Sequence, residues 1–492
     1  MFCFVATLTG LVWNLPANAE VRLPKIFSNS MVLQQGMAAP VWGWADAGEK
    51  VTVSFAGQQK SATADPRGKW LVKLDAMPAS KSPHELIVAG TNTLTIKDVL
   101  VGEVWLCSGQ SNMALTVSSC LNFDTEKTAA TNPLIRNFLV LQAESAVPLE
   151  DVTGQWAVCS PDTVGQFSGA GYYFARAVTA ALDAPVGIIA SAWGSTRIEP
   201  WTPPEGFRAV PELKELSQIV DAGGPKTEPP HGKGPWKPVR AFNGMIAPLI
   251  PYAIRGALWY QGEANGDEGV TYYHKTKALI LGWRQLWAEG DFPFYFCQLA
   301  NMRNYDSGVP GAGDGWARTR EAQLMSLSIP NTGMAVVIDL GTDDENLPKG
   351  QANIHPKNKQ DVGKRLALWA LAKAYGKDIV YSGPLYEKCV VEGNKIRVSF
   401  TQVGGGLMVG EKKGLDPVKD IPGGKLKGFA VAGADKAWQW ADAVIDGNTV
   451  VVQSDKVATP VAVRYAFAMN AEGLNLYNKE GLPASPFRTD NW

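Results

Sequence analysis

Histidine is scarce in this sequence, with four in 492 residues: His84, His231, His274 and His355. Any chemistry that needs an imidazole base must draw on one of them. An excess of one charge sign is missing too. The 46 basic and 47 acidic residues leave a formal net charge of −1 with no long basic run, which excludes the electrostatic footprint of a nucleic-acid binder or of a protein drawn to an anionic membrane surface. Beyond the N-terminus no stretch approaches the ~18 to 20 uninterrupted apolar residues of a spanning helix, so no membrane partner is expected. The six cysteines show no paired metal-type spacing. No internal repeat is present.

The first residues, MFCFVATLTGLVWNLPANA, are apolar and close on Ala17-Asn18-Ala19, the small-x-small form of a secretory cleavage site, although a leading basic segment is lacking. Residues 1–19 are therefore expected to be a signal peptide, and the mature protein to be secreted or periplasmic. Cleavage would leave Cys107, Cys120, Cys159, Cys297 and Cys389, an odd set in which at least one thiol stays free. Cys107 and Cys297 lie in apolar strand-like runs and read as buried small hydrophobes. Cys120 and Cys159 are the disulfide candidates.

What is abundant is glycine, proline and tryptophan, with 50, 32 and 17 residues. The length predicts several domains. From 20 to 99, short alternating runs such as APVWGW, EKVTVSFAG and GKWLVKL predict a small antiparallel β-sandwich. From 100 to 378 the texture changes. Apolar runs at Glu103–Cys107, Ile135–Leu141, Val186–Ala190, Ile254–Tyr260, Pro293–Leu299 and Met334–Leu340 alternate with helical patterns such as GYYFARAVTAAL and TYYHKTKALILGWRQLW. This predicts an α/β unit with a mostly parallel sheet covered on both faces. A last helix, DVGKRLALWALAKAYG, stops at Gly376. From 379 to 492 the strand-and-turn texture returns and predicts a second β-sandwich. The Pro-rich stretch Pro204–Pro238 reads as a long surface excursion.

In open parallel sheets ligands bind beyond the carboxyl ends of the strands. Four polar loops occupy such positions: SGQSNM, SAWGSTRIEPW, QGEAN and the loop reaching NIHPKNKQ. In the first, Gly109 permits a tight bend and Ser111 sits where sheet hands over to helix, in the manner of a nucleophile turn. A serine hydroxyl needs an adjacent base. Of the histidines, His355 alone follows a central strand by a loop and precedes a helix, so it is the candidate base. By loop position the Ser111 and Gly194 N–H groups and the Gln261 side-chain amide are candidate oxyanion donors. A requirement for positive φ explains Gly194 equally well. Glu263 could orient His355, hold the nucleophile loop or bind substrate hydroxyls. Glu199 and Trp201 in RIEPW read first as structural. Asn112, Arg197, Glu199 and Glu263 complete the supporting or substrate-contacting set.

SGQSNM, WGSTRIEPW, WYQGEAN, TREAQ and IHPKNKQDVGKRLALWA together resemble the sialate O-acetylesterase family, within the wider serine esterases called SGNH hydrolases. The resemblance spans roughly Leu100–Gly376 and extends to the N-terminal β-rich stretch. It implies a three-layer SGNH-hydrolase-like core, hydrolysis of acetyl esters on sugars without metal or cofactor, Ser111 and His355 as nucleophile and base, and Gly194 and Gln261 as oxyanion partners. Acetylated carbohydrate is the expected substrate, with sialic acid or a hemicellulose such as xylan as alternatives. Arg197 is a conceivable partner for a sialate carboxylate, or equally a surface ion-pair residue. Many SGNH hydrolases carry an aspartate three residues before the histidine. Here that position is Ala352, followed by Asn353. Asp339 is then the first choice to orient His355, followed by Asp343, Asp344 and Glu263. Two other classes compete. A glycoside hydrolase using Glu199 and Glu263 would need them ~5 to 9.5 Å apart across a cleft. A non-catalytic carbohydrate-binding protein would rely on the sandwiches and their tryptophans.

Overall fold

Strands with alternating exposure build the first part of the chain in a computed structural model that describes residues 20–224, 236–302, 309–310, 312–313, 315–340, 354–471 and 473–492. The signal-peptide expectation for 1–19 and the residues His231, Asp343, Asp344, Ala352 and Asn353 lie outside the described residues. The first strands are β1 (Val32–Gln34), β2 (Ala39–Trp44), β3 (Lys50–Phe55), β4 (Gln58–Thr63), β5 (Lys69–Leu74), β6 (Ser80–Ala89) and β7 (Thr93–Gly109). In β3 the residues Val51, Val53 and Phe55 point inward while their neighbours stay partly exposed, the period-2 pattern of a half-buried strand. Ala56 and Gly57, both at positive φ, turn β3 back into β4. β3 pairs antiparallel with β4 and β6, β6 with β7, and β2 with β5 in a separate ribbon. One pairing departs from the antiparallel expectation, because β1 runs parallel to β7.

β7 also corrects the boundary expected at 99/100. It is one strand of 17 residues whose first half pairs with β6 and whose second half is the centre of the parallel sheet. Every residue from Val99 to Gly109 is buried, because both faces are covered there and alternation gives way to a continuous apolar run.

The central sheet adds β8 (Ile135–Val140), β9 (Gly154–Val158), β10 (Val186–Ala192), β11 (Gly256–Tyr260), β12 (Phe294–Gln298) and β13 (Thr332–Val336), in the order β13-β12-β11-β7-β10-β8-β9. All pairs are parallel except the edge pair β8 and β9. The helices are α1 (Ser111–Ala114), α2 (Phe123–Ala129), α3 (Gly169–Leu182), α4 (Pro204–Arg208), α5 (Lys214–Asp221), α6 (Val270–Trp287), α7 (Gly315–Met325) and α8 (Lys359–Trp369). Alternate strand residues feed two cores. Trp105, Cys107, Leu258, Tyr260, Tyr295 and Cys297 pack against α3 and α8, whereas Leu106, Trp259, Phe294 and Phe296 pack against α6 and the segment around Trp201. Helices on both faces make the three layers. Ser168 caps α3 by accepting from Gly171 N–H, and Asn358 caps α8 by accepting from Asp361 N–H. After α8 one wider turn, 370–374, leads to Gly376 at φ +66°.

Register decides where the site forms. Gly109 lies opposite both Ala192 on β10 and Tyr260 on β11, so three central strands end at one level. The loops that follow them converge above β7. The chain departs to either side of β7 here, which is where a crevice opens in such sheets.

The C-terminal region is built of antiparallel sheets. One contains Leu385–Glu392, Lys395–Thr401, Asp442–Asp446 and Thr449–Gln453, and another Phe429–Ala432, Trp438–Trp440, Ala462–Tyr465 and Phe487–Arg488. It is fastened to the α/β core beside the strand ends. The fully buried Arg320 on α7 donates to the carbonyls of Leu299, Ala300, Ala468 and Met469, and Gln298 Nε2 donates to Ser485 Oγ at 2.9 Å. Lys412 pairs with Asp361 in the first turn of α8. All five described cysteines, Cys120 and Cys159 included, are free thiols, which corrects the disulfide expectation.

Candidate active site

Gly109 ends β7 at φ +139°, and a side chain there would collide with the carbonyl of Tyr260. The bend throws Ser111 onto the first turn of α1, half-buried and facing outward. Gln110 N–H is anchored to Tyr260 O at 3.0 Å, so the loop is tied to the neighbouring strand. His355 enters from the far side, on the segment that leads into α8. Its Nε2 lies 2.7 Å from Ser111 Oγ. The two residues are 244 positions apart in sequence.

Burial, and then the nearby Lys359 ammonium, hold the His355 imidazole below its ordinary pKa. A neutral ring is the form that can accept the serine proton. Asn112 joins the two halves of the site. Its Nδ2 donates to Ile354 O at 2.8 Å and to Glu263 Oε1 at 2.5 Å, while its Oδ1 accepts from Lys359 Nζ at 2.6 Å. Of the three roles open to Glu263, this geometry gives it the one of holding the nucleophile loop. Its second oxygen, Oε2, is buried without a partner among the described residues, and burial raises the pKa of the carboxyl.

Gly194 sits directly against the nucleophile. A Cβ placed on it would lie 3.5 Å from Ser111 Cβ. Its own φ is not in the left-handed region; that conformation falls on the next residue, Ser195, at φ +61°. Backbone strain is thus not what demands a glycine here. Among the described residues, neither the Ser111 nor the Gly194 N–H has an acceptor, so both are available to an oxyanion.

Gln261 requires a correction. Its side chain is fully buried, and its Nε2 lies within hydrogen-bond distance of Gln110 Oε1 (3.1 Å), Thr196 O (3.1 Å) and Asn265 Oδ1 (2.8 Å). Two N–H bonds are already spent on the scaffold, which leaves none for an oxyanion. The amide the sequence reading overlooked is Gln110. Its Oε1 accepts from Gln261 and from the Ala264 N–H, which fixes its orientation, and its Nε2 has no partner among the described residues. The signal was available, since Gln110 immediately precedes the nucleophile.

Asp339 also requires correction. β13 ends at Val336, and Asp339 stands in the following turn with its two oxygens 2.6 and 2.8 Å from Arg365 on α8, while Tyr477 donates to Oδ2 at 3.3 Å. Asp339 makes no hydrogen bond to His355; its buried ion pair with Arg365 fastens α8 to the sheet.

Glu199 belongs to a second buried charge cluster. Lys275 Nζ bridges Glu199 Oε1 at 2.6 Å and Glu268 Oε2 at 2.7 Å, and Asn265 Nδ2 donates to both carboxylates. Arg197 donates to Glu268 as well. Burial pushes the Glu199 pKa up, but Lys275 and Arg197 outweigh it and hold the carboxyl below its usual value. Glu199 is held by Lys275 and Asn265 and Glu263 by Asn112, so both carboxylates of the competing glycosidase reading are engaged in the scaffold. Arg197 is an ion-pair residue here. Trp201 is buried edge-to-face against Trp259, which meets Trp283 in the same way. His84 packs on Phe55, and His274 lies 3.8 Å from Glu212, both away from Ser111.

Residues 101–371 match the family described as carbohydrate esterase, sialic acid-specific acetylesterase. The chain is 32% identical to the sialate O-acetylesterase of Homo sapiens over 515 aligned residues, covering 96% of this chain and 93% of that one. The Rattus norvegicus sialate O-acetylesterase is 33% identical over 424 residues, 76% of this chain and 77% of the other. Among solved structures, a carbohydrate acetylesterase from Xanthomonas citri superposes with a TM-score of 0.83 at 36% identity, covering 96% of this chain and all of that one.

Proposed function

Because the chain belongs to the sialic acid-specific acetylesterase family of carbohydrate esterases, we propose that it hydrolyses O-acetyl esters on sugars, sialate among them, with Ser111 as nucleophile and His355 as base. The observation that carries this reading is the 2.7 Å contact between Ser111 Oγ and His355 Nε2 at the carboxyl ends of the central strands.

In the first half-reaction Ser111 Oγ attacks the acetyl carbonyl carbon as its proton passes to His355 Nε2. The oxygen that becomes negative is met by the Ser111 and Gly194 N–H groups, with Gln110 Nε2 as a side-chain donor. The C–O bond to the sugar then breaks, His355 returns the proton to the departing sugar oxygen, and the acetyl group remains on Ser111. Water attacks that ester with His355 again as base, and acetate leaves. The same residues thus carry both halves.

A second reading of the substrate rests on Arg197. Its guanidinium is committed to Glu268, so it does not offer a sialate carboxylate a free partner, and a neutral acetylated polysaccharide such as xylan needs none. Acetate release from acetylated sialic acid, acetylated xylan and simple sugar acetates decides between them. Ser111→Ala is expected to abolish release from all three with the fold intact. Retained release would overturn the assignment of Ser111. Export rests on the Ala17-Asn18-Ala19 site. A mature N-terminus at Glu20 supports it, and a retained residue Met1 in exported protein contradicts it.

A further inference from the structure

Lys359 opens α8 with no exposed surface, and no carboxylate lies within ion-pair distance of it among the described residues. Its ammonium donates to Asn112 Oδ1 at 2.6 Å and Pro356 O at 2.8 Å and rests 5.2 Å from the centre of the Tyr260 ring. A lysine buried on neutral acceptors costs stability, since nothing nearby repays its lost hydration. Its acceptors are the residues that flank the reacting pair: Asn112 follows Ser111, and Pro356 follows His355. Asn112 then passes the link on to Glu263, whose Oε2 is buried and has no partner among the described residues.

We propose that Lys359 is a positioning residue of the Ser111–His355 pair: its ammonium locks the nucleophile loop to the base loop through Asn112 and the Pro356 carbonyl, and so sets a positive charge beside them. The proposal rests on the reading of Ser111 and His355 given above.

The groups that face Lys359 are few. Tyr260 comes from β11, Cys297 from β12, Cys120 from the turn before α2, and Glu263 from the loop after β11. Burial keeps the tyrosine and both thiols neutral, with Cys120 pushed up to about 12. Among the described residues Glu263 is thus the carboxyl that faces it, and Asn112 stands between it and the ammonium. Burial brings Lys359 itself down to about 8, so it is charged throughout the range in which His355 must lose its proton.

The sign follows from Coulomb's law. A positive charge beside the imidazole lowers its pKa, so removing that charge raises it and moves the acid limb of the kcat/KM profile to higher pH. Lys359→Met is expected to move the limb up by about one pH unit and to lower the plateau roughly tenfold through the lost tether. Lys359→Gln keeps a donor for Asn112 without the charge; it should move the limb equally with a smaller loss, and it carries the test if the methionine variant does not fold. Lys359→Arg should leave the limb in place. An unmoved limb in folded Met and Gln variants, with Ser111→Ala still inactive, overturns the proposal and leaves the catalytic assignment standing. An active Ser111→Ala instead overturns the assignment beneath it.

Discussion

Two buried charge clusters lie on either side of the loop after β11, and they solve the same problem in opposite ways. In Arg197, Glu199, Glu268 and Lys275, each carboxylate meets a cation directly and Asn265 supplies the remaining donors. In Lys359, Asn112 and Glu263 the opposite charges are separated by an amide, and one carboxylate oxygen has no partner among the described residues. The first arrangement is what a fold needs to tolerate buried ions. The second leaves electrostatic work undone, and it stands next to the serine and histidine. The difference separates scaffold from machinery more sharply than burial does, because Lys275 and Glu199 are buried as Lys359 is.

The comparison can be broken by neutralising one cation from each cluster. Lys275→Met leaves Glu199 and Glu268 to share the partly exposed Arg197 and is expected to cost about 3 kcal/mol of stability, read as a lowered denaturation midpoint, with the acid limb of the pH profile unmoved. Should that limb move as Lys359→Met is expected to move it, the two clusters do not differ in kind. Asp339→Asn probes the buried pair with Arg365, whose side chains are 2% and 7% exposed. It is expected to lose about 3 kcal/mol while kcat/KM in the folded enzyme stays within tenfold. A larger loss of activity at full stability would return Asp339 to the role of orienting His355. Gln110→Ala sharpens the comparison from the catalytic side, with an expected loss of about 10²-fold in kcat and little change in KM. A change in KM alone would make Gln110 a binding group.

Much of this was legible before any coordinates. Each apolar run named in the sequence overlaps a strand of the central sheet, because strands covered on both faces must be continuously apolar. Ser111 and His355 followed from one rule about where parallel sheets place their loops, combined with the scarcity of histidine. What escaped were the properties set by side-chain direction and by distant partners. Gln110 and Gln261 are both amides beside a strand end, and what distinguishes them is that Gln261 Nε2 is bonded to Thr196 O and Asn265 Oδ1 while Gln110 is held through its Oε1. Asp339 looked free because its partner lies 26 residues away on α8. The boundary near Val99 was placed by a change in texture, but the texture changes inside β7 as its second face becomes covered.

The central claim is a covalent acetyl-enzyme on Ser111. Enzyme turning over an acetylated sugar, quenched in acid and digested, is expected to carry one acetyl group on the SGQSNM peptide at Ser111, absent from Ser111→Ala. Acetate release without any acetyl on Ser111, or with the acetyl group on another side chain, would contradict it.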